Sequence, residues 1–154
     1  MFERIHLQHL TKRMQEPRRF LQVVMGPRQV GKTTLVNQLS EKLGTDYIFV
    51  SADSVAASNT AWLEQQWEAA RINMDQVKAK EFLLVIDEIQ KVDNWSETVK
   101  LLWDTDTRNK RILKVILLGS SRLLLQQGLT ESLAGRFEST YMGHWSFEEM
   151  KQAF

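Results

Sequence analysis

The sequence predicts an α/β domain whose strands and helices alternate along the chain, with helices covering a mainly parallel sheet. Three observations predict it. Short segments rich in apolar and β-branched residues recur between longer segments with apolar residues at helical spacing. The segment Glu81-Phe82-Leu83-Leu84-Val85-Ile86 is almost continuously apolar, as a strand covered on both faces must be. A glycine-bounded loop joins the first strand to the next helix, as in crossovers of right-handed sense.

Residues 2–16 place Phe2, Ile5, Leu7, Leu10 and Met14 near helical spacing, and Pro17 ends the segment. We expect a helix over 1–17 that packs on the rest of a single domain spanning 1–154. Lys12-Arg13 and Arg18-Arg19 make a modest basic patch; with no aromatic residues interleaved, it reads as a solvated face. Phe20 to Met25 is the first strand and Thr34 to Leu43 the helix after the loop. Tyr47 to Val50 is the second strand, followed by a helix from about Thr60 to Lys80 with Trp62, Leu63, Trp67, Ala70 and Met74 on its apolar face. The third strand, 81–86, leads to a helix from Trp95 to Asn109 with Val99, Leu102 and Trp103 inward. A buried strand from Ile112 to Leu118 ends at Gly119-Ser120-Ser121. A helix through Leu123-Leu124-Leu125, a short strand near 139–142, and a capping box at Ser146-Phe147-Glu148-Glu149 that opens a last helix complete the chain.

With 154 residues, a single core of substantial size is expected. A net charge of +1 provides no field that would draw the chain to nucleic acid or to a membrane surface. Without cysteine, thiolate chemistry and disulfides are excluded, which suits the cytoplasm. No apolar run approaches the ~20 residues of a membrane span, and the N-terminus has no apolar core of a signal peptide.

Gly26-Pro27-Arg28-Gln29-Val30-Gly31-Lys32-Thr33 fits the phosphate-binding pattern G-x-x-x-x-G-K-[ST] without a mismatch. Between a strand and a helix, the backbone N–H groups of such a loop converge on phosphate oxygens. Lys32 is then expected on the β- and γ-phosphates and the Thr33 hydroxyl on Mg²⁺, with Thr34 next to them at the helix start. Asp87-Glu88 ends the apolar third strand, facing the crevice where open α/β sheets bind ligands. Asp87 suits a cation, usually through water, and Glu88 suits orienting and polarising a water that attacks the γ-phosphate. Ser120 sits past the fourth strand, where it is either a γ-phosphate sensor or part of a strand-ending turn. Arg136 and Arg122 are candidates to neutralise charge on the transferred phosphoryl group, in their own site or a neighbour's.

Other features carry less. His6 and His9 share a helix face, but no third ligand stands near and His144 is remote, so a metal site is not expected there. Asn109-Lys110-Arg111-Ile112 is a partial match to the guanine-reading N-K-x-D, with Ile112 where the aspartate must stand.

Together, Gly26 to Thr34, Ile86-Asp87-Glu88-Ile89-Gln90-Lys91-Val92, Leu118-Gly119-Ser120-Ser121 and Leu133-Ala134-Gly135-Arg136 resemble the prokaryotic AAA-type "ATP-binding protein" family over about residues 18 to 150. The resemblance implies a P-loop NTPase fold: a three-layer αβα sandwich on a five-stranded sheet of order 5-1-4-3-2. It also implies Lys32 and Thr33 on phosphate and Mg²⁺, Asp87 on Mg²⁺, Glu88 as catalytic carboxylate, Ser120 as sensor and Arg136 as arginine finger. Family members usually continue into a C-terminal domain of unknown function. Gly143-His144-Trp145 stands where relatives carry a proline-leucine, and that continuation is not present in these 154 residues.

Mg²⁺-dependent ATP hydrolysis is therefore the expected activity, with a homo-oligomer or a protein as further partner. Two alternatives stay open: a nucleotide-dependent switch or scaffold with little turnover, and a phosphotransferase acting on a small molecule. The adjacent acids and the lack of a recognisable acceptor lid weigh against the phosphotransferase. A role on nucleic acid is the least supported.

Overall fold

A computed structural model describes residues 5–27, 31–120, 129–143 and 150–151. Five parallel strands form one sheet: β1 (Leu21–Met25), β2 (Tyr47–Ser51), β3 (Phe82–Asp87), β4 (Leu113–Gly119) and β5 (Phe137–Tyr141). Their spatial order is β2-β3-β4-β1-β5. That is the expected 5-1-4-3-2 read from the other edge, and every pairing is parallel. The helices are α1 (Ile5–Gln15), α2 (Lys32–Leu43), α3 (Ala61–Gln76), α4 (Trp95–Arg108) and the short α5 (Leu129–Ser132).

Side-chain alternation along the strands divides the core into two layers. Leu21, Val23 and Met25 of β1, Phe82, Leu84 and Ile86 of β3, and Leu113, Val115 and Leu117 of β4 pack on α3 and α4 through Leu63, Trp67, Ala70, Val99 and Trp103. Val24, Leu83, Val85, Ile116 and Leu118 point the other way, onto Leu7, Leu10 and Met14 of α1 and Leu35, Val36 and Leu39 of α2. Both faces of the central strands are therefore dry, which explains their unbroken apolar sequence.

Polar residues tie the lower end of the sheet together. Lys114 Nζ donates to the carbonyls of Met14 (2.6 Å) and Glu16 (2.9 Å), closing the C-terminal end of α1 with a positive charge. Arg18 stacks 3.5 Å from the centroid of the Trp103 ring and donates to the Leu113 carbonyl at 2.7 Å and the Thr107 hydroxyl at 2.9 Å. Burial lowers its guanidinium to about 10, so it remains charged at neutral pH. Arg13 donates to the Ser139 carbonyl and the Thr140 hydroxyl on the edge strand β5. The basic patch is thus only in part the solvated face expected: Lys12 and Arg19 are exposed, while Arg13 and Arg18 are structural clasps.

Two boundaries moved: β5 starts at Phe137 rather than near 139, and α3 ends early. α3 ends at Gln76 rather than near Lys80 because Lys78 turns left-handed (φ 51), with the Ala79 N–H bonded to the Met74 carbonyl. The expected helix through Leu123–Leu125 and the capping box at 146–149 lie outside the described residues. Among the described residues, no helix is long and apolar enough to cross a membrane.

Candidate functional site

The parallel sheet brings the C-terminal ends of β1, β3 and β4 to one rim, because β4 pairs with both neighbours. Met25 stands opposite Gly119 and Ile86 opposite Leu117. The Gly26 N–H donates to the Gly119 carbonyl at 3.2 Å, so the start of the loop is fastened to the residue before Ser120. Gly26, Asp87, Glu88 and Ser120 therefore share one rim.

The loop returns to helix at Gly31, whose backbone is left-handed (φ 93, ψ 23), a conformation that glycine adopts without steric cost. Gly31 offers no capping side chain, and the first turn of α2 holds no acid. The N–H groups of that turn, with the positive end of the helix dipole, are disposed toward an anion. Thr33 and Thr34 are exposed on the same turn. Lys32 is buried to 8% exposure, and its Nζ donates to the carbonyls of Gly26 and Pro27, each at 2.9 Å. The ammonium group thus lies inside the arc of the loop. Arg28, Gln29 and Val30 lie outside the described residues.

Across the rim, Asp87 is half-buried. Burial raises its carboxyl above the ordinary aspartate value, and the neighbouring Glu88 and Asp53 charges add to this. The Glu88 N–H and the Lys32 charge act in the opposite sense. Lys32 is thus near enough to Asp87 for its charge to act on that carboxyl. Glu88 itself has left-handed backbone (φ 55, ψ 39) at the head of a 3-10 turn over Ile89–Lys91. For a residue with a side chain such a conformation costs of order 1–2 kcal/mol. The Glu88 carboxylate accepts a bond from the Gln90 amide at 2.7 Å. Lys91 pairs with Asp53, which joins this turn to the end of β2.

Arg136 is placed elsewhere. The Leu21 N–H donates to the Arg136 carbonyl at 2.8 Å, which fixes Arg136 at the start of β1, not at its end. Five residues separate that level from Gly26, or ~16 Å of strand. The guanidinium is held by both oxygens of Asp104 on α4, at 2.8 and 2.9 Å, which lowers the Asp104 carboxyl below its ordinary range. The structure does not bring Arg136 to the loop of its own chain. Ser121 and Arg122 lie outside the described residues.

Asp53 belongs to no sequence motif. Only the pairing of β2 with β3, Ser51 opposite Asp87, brings it to the rim. Gln90 carried a signal in the sequence as part of the Asp-Glu-Ile-Gln run, but without a role.

A family model described as an AAA domain matches residues 18–151. The chain is also 31% identical over 130 residues, 84% of its length, to the uncharacterized protein MJ1544 of Methanocaldococcus jannaschii. That match covers 27% of the relative, so the chain spans about a quarter of the length of the curated protein it matches.

Proposed function

The chain belongs to the AAA domain family of nucleotide-binding ATPases, and from that premise we propose that it binds Mg²⁺-ATP at the 26–34 loop and hydrolyses it. The observation that carries the proposal is the meeting, at one sheet rim, of a buried ammonium inside a glycine-bounded loop and two adjacent carboxylates.

The donor set suits the ligand. Lys32 and the amides of the loop and first turn of α2 supply positive and partial positive charge to phosphate oxygens. Thr33 offers a neutral hydroxyl and Asp87 a carboxylate whose raised proton affinity marks a place where added positive charge is favoured. Thr33 and Asp87 would hold Mg²⁺, which, when bound, offsets the negative charge on the β- and γ-phosphate oxygens. Glu88 would accept a hydrogen bond from the attacking water and orient it in line with the γ-phosphorus. Ser120, fastened beside the loop through Gly119, would contact the γ-phosphate as a polar sensor. Arg136 would serve as an arginine finger only in the site of a neighbouring copy, since it is remote from its own loop.

The test is steady-state phosphate release with Mg²⁺-ATP by the wild type and Glu88→Gln. Turnover should fall by about 10²- to 10⁴-fold, as for removal of a general base, with ATP still bound. Unchanged hydrolysis by Glu88→Gln would remove Glu88 from its role. Tight ATP binding by the wild type with no phosphate release would favour the switch reading instead.

A further inference from the structure

We infer that Gln90 is a positioning residue that sets the direction in which the Glu88 carboxylate faces, a role that rests on the proposed hydrolytic function of Glu88. The side chain of Gln90 is 4% exposed, and its amide nitrogen donates to Glu88 Oε2 at 2.7 Å. Its amide oxygen accepts no hydrogen bond among the described residues. A buried amide with one end unpaired opposes folding by roughly 1–3 kcal/mol. An apolar residue of the same length would avoid that penalty, so packing alone does not account for glutamine at this position.

The backbone around the pair favours the same reading. Glu88 is held in a left-handed conformation by the 3-10 turn, in which the Lys91 N–H donates to the Glu88 carbonyl at 3.1 Å. Ile89 is fully buried and anchors the turn in the core. Lys91 ties the far side of the turn to Asp53. The main chain of Glu88 is therefore fixed, and the rotatable bonds of its side chain are the remaining freedom. The Gln90 amide binds one carboxylate oxygen and leaves the other, Oε1, to accept from water. A carboxylate so restrained loses less conformational entropy on reaching the geometry needed to polarise that water. Gln90 acts through Glu88 and touches no phosphate in this account.

The decisive variant is Gln90→Met, which keeps the length and the burial and deletes the donor. Four quantities are measured on the full chain: melting temperature, ATP affinity by calorimetry, kcat and KM. The expected result is an unchanged or higher melting temperature and unchanged ATP affinity, with kcat lower by about 10- to 100-fold, the range for loss of an outer partner of a functional group. In a Glu88→Gln background the same substitution should have no further effect on residual turnover, because the two residues act as a unit. Wild-type kcat in Gln90→Met, beside an inactive Glu88→Gln, overturns the role of Gln90 and spares that of Glu88. Full activity in Glu88→Gln overturns both. A higher kcat in Gln90→Met also overturns positioning, because the amide would then restrain Glu88 away from water. A fall in melting temperature or ATP affinity that accounts for the lost turnover would make Gln90 a packing residue and nothing more.

Discussion

At the scale of single residues, the carboxyl of Asp87 shows how the site is set against the fold. Burial, Glu88 and Asp53 raise its proton affinity, so ionised Asp87 opposes folding. The linkage has a definite sign: the penalty is absent below the unfolded value near ~3.9, grows as pH rises through the raised folded value, and is complete above it. Asp87→Asn should therefore melt at a higher temperature than the wild type at pH 7, with the difference vanishing below about pH 4. Differential scanning fluorimetry across pH checks this, and Mg²⁺ should no longer add to the stabilisation by ATP in the variant. A less stable variant at neutral pH would contradict the electrostatic account. Gly31 offers a second test. Among the described residues a Cβ there meets nothing within 4 Å, so the strain of Gly31→Ala is that of its backbone at φ 93. It should lose about 1 kcal/mol in urea denaturation, with weaker nucleotide binding as the loop shifts.

Among the elements, the end of the sheet opposite the loop holds the fold together by charge and stacking. Lys114 fixes the end of α1, and Arg18 clasps Trp103 on α4 to the start of β4. Lys114→Met should lower stability by about 2 kcal/mol by removing two charge-assisted bonds. Calorimetry should meanwhile show unchanged ATP affinity, because Lys114 pairs with Leu83, well below the Asp87 level. Arg136→Ala breaks a partly exposed pair with Asp104 and should cost no more than ~1 kcal/mol, again without weakening ATP binding to its own chain. Elements themselves were legible where periodicity and punctuation agreed. The end of α2 at Leu43 and the continuous apolar run of β3 are read directly from residue type. The end of α3 was not, because a lysine, not a glycine, makes the left-handed turn there. Nor were the clasps of Arg13 and Arg18, which join residues about ninety or more positions apart.

For the whole molecule, the order β2-β3-β4-β1-β5 produces the site, because inserting β4 between the two motif strands sets Ser120 beside both. That order does not follow from periodicity; it came from a resemblance carried by motif residues, and the strand pairings bear it out. The glycine-bounded loop and the acidic pair at the end of β3 were legible because each is contiguous in sequence. The position of Arg136 at the far end of the sheet was not, since only the register of β5 on β1 determines it. The pairing of β2 with β3, and not the motif, brings Asp53 and Lys91 together at the rim.

The central claim is that the nucleotide's phosphates lie in the 26–34 loop against the Lys32 ammonium. Isothermal calorimetry with Mg²⁺-ATP on the wild type and Lys32→Ala, each shown folded by circular dichroism, tests it most directly. Saturable binding by the wild type and a loss of at least about 100-fold, roughly 2.7 kcal/mol, in the variant is the predicted result. Equal affinity in the two proteins would contradict it.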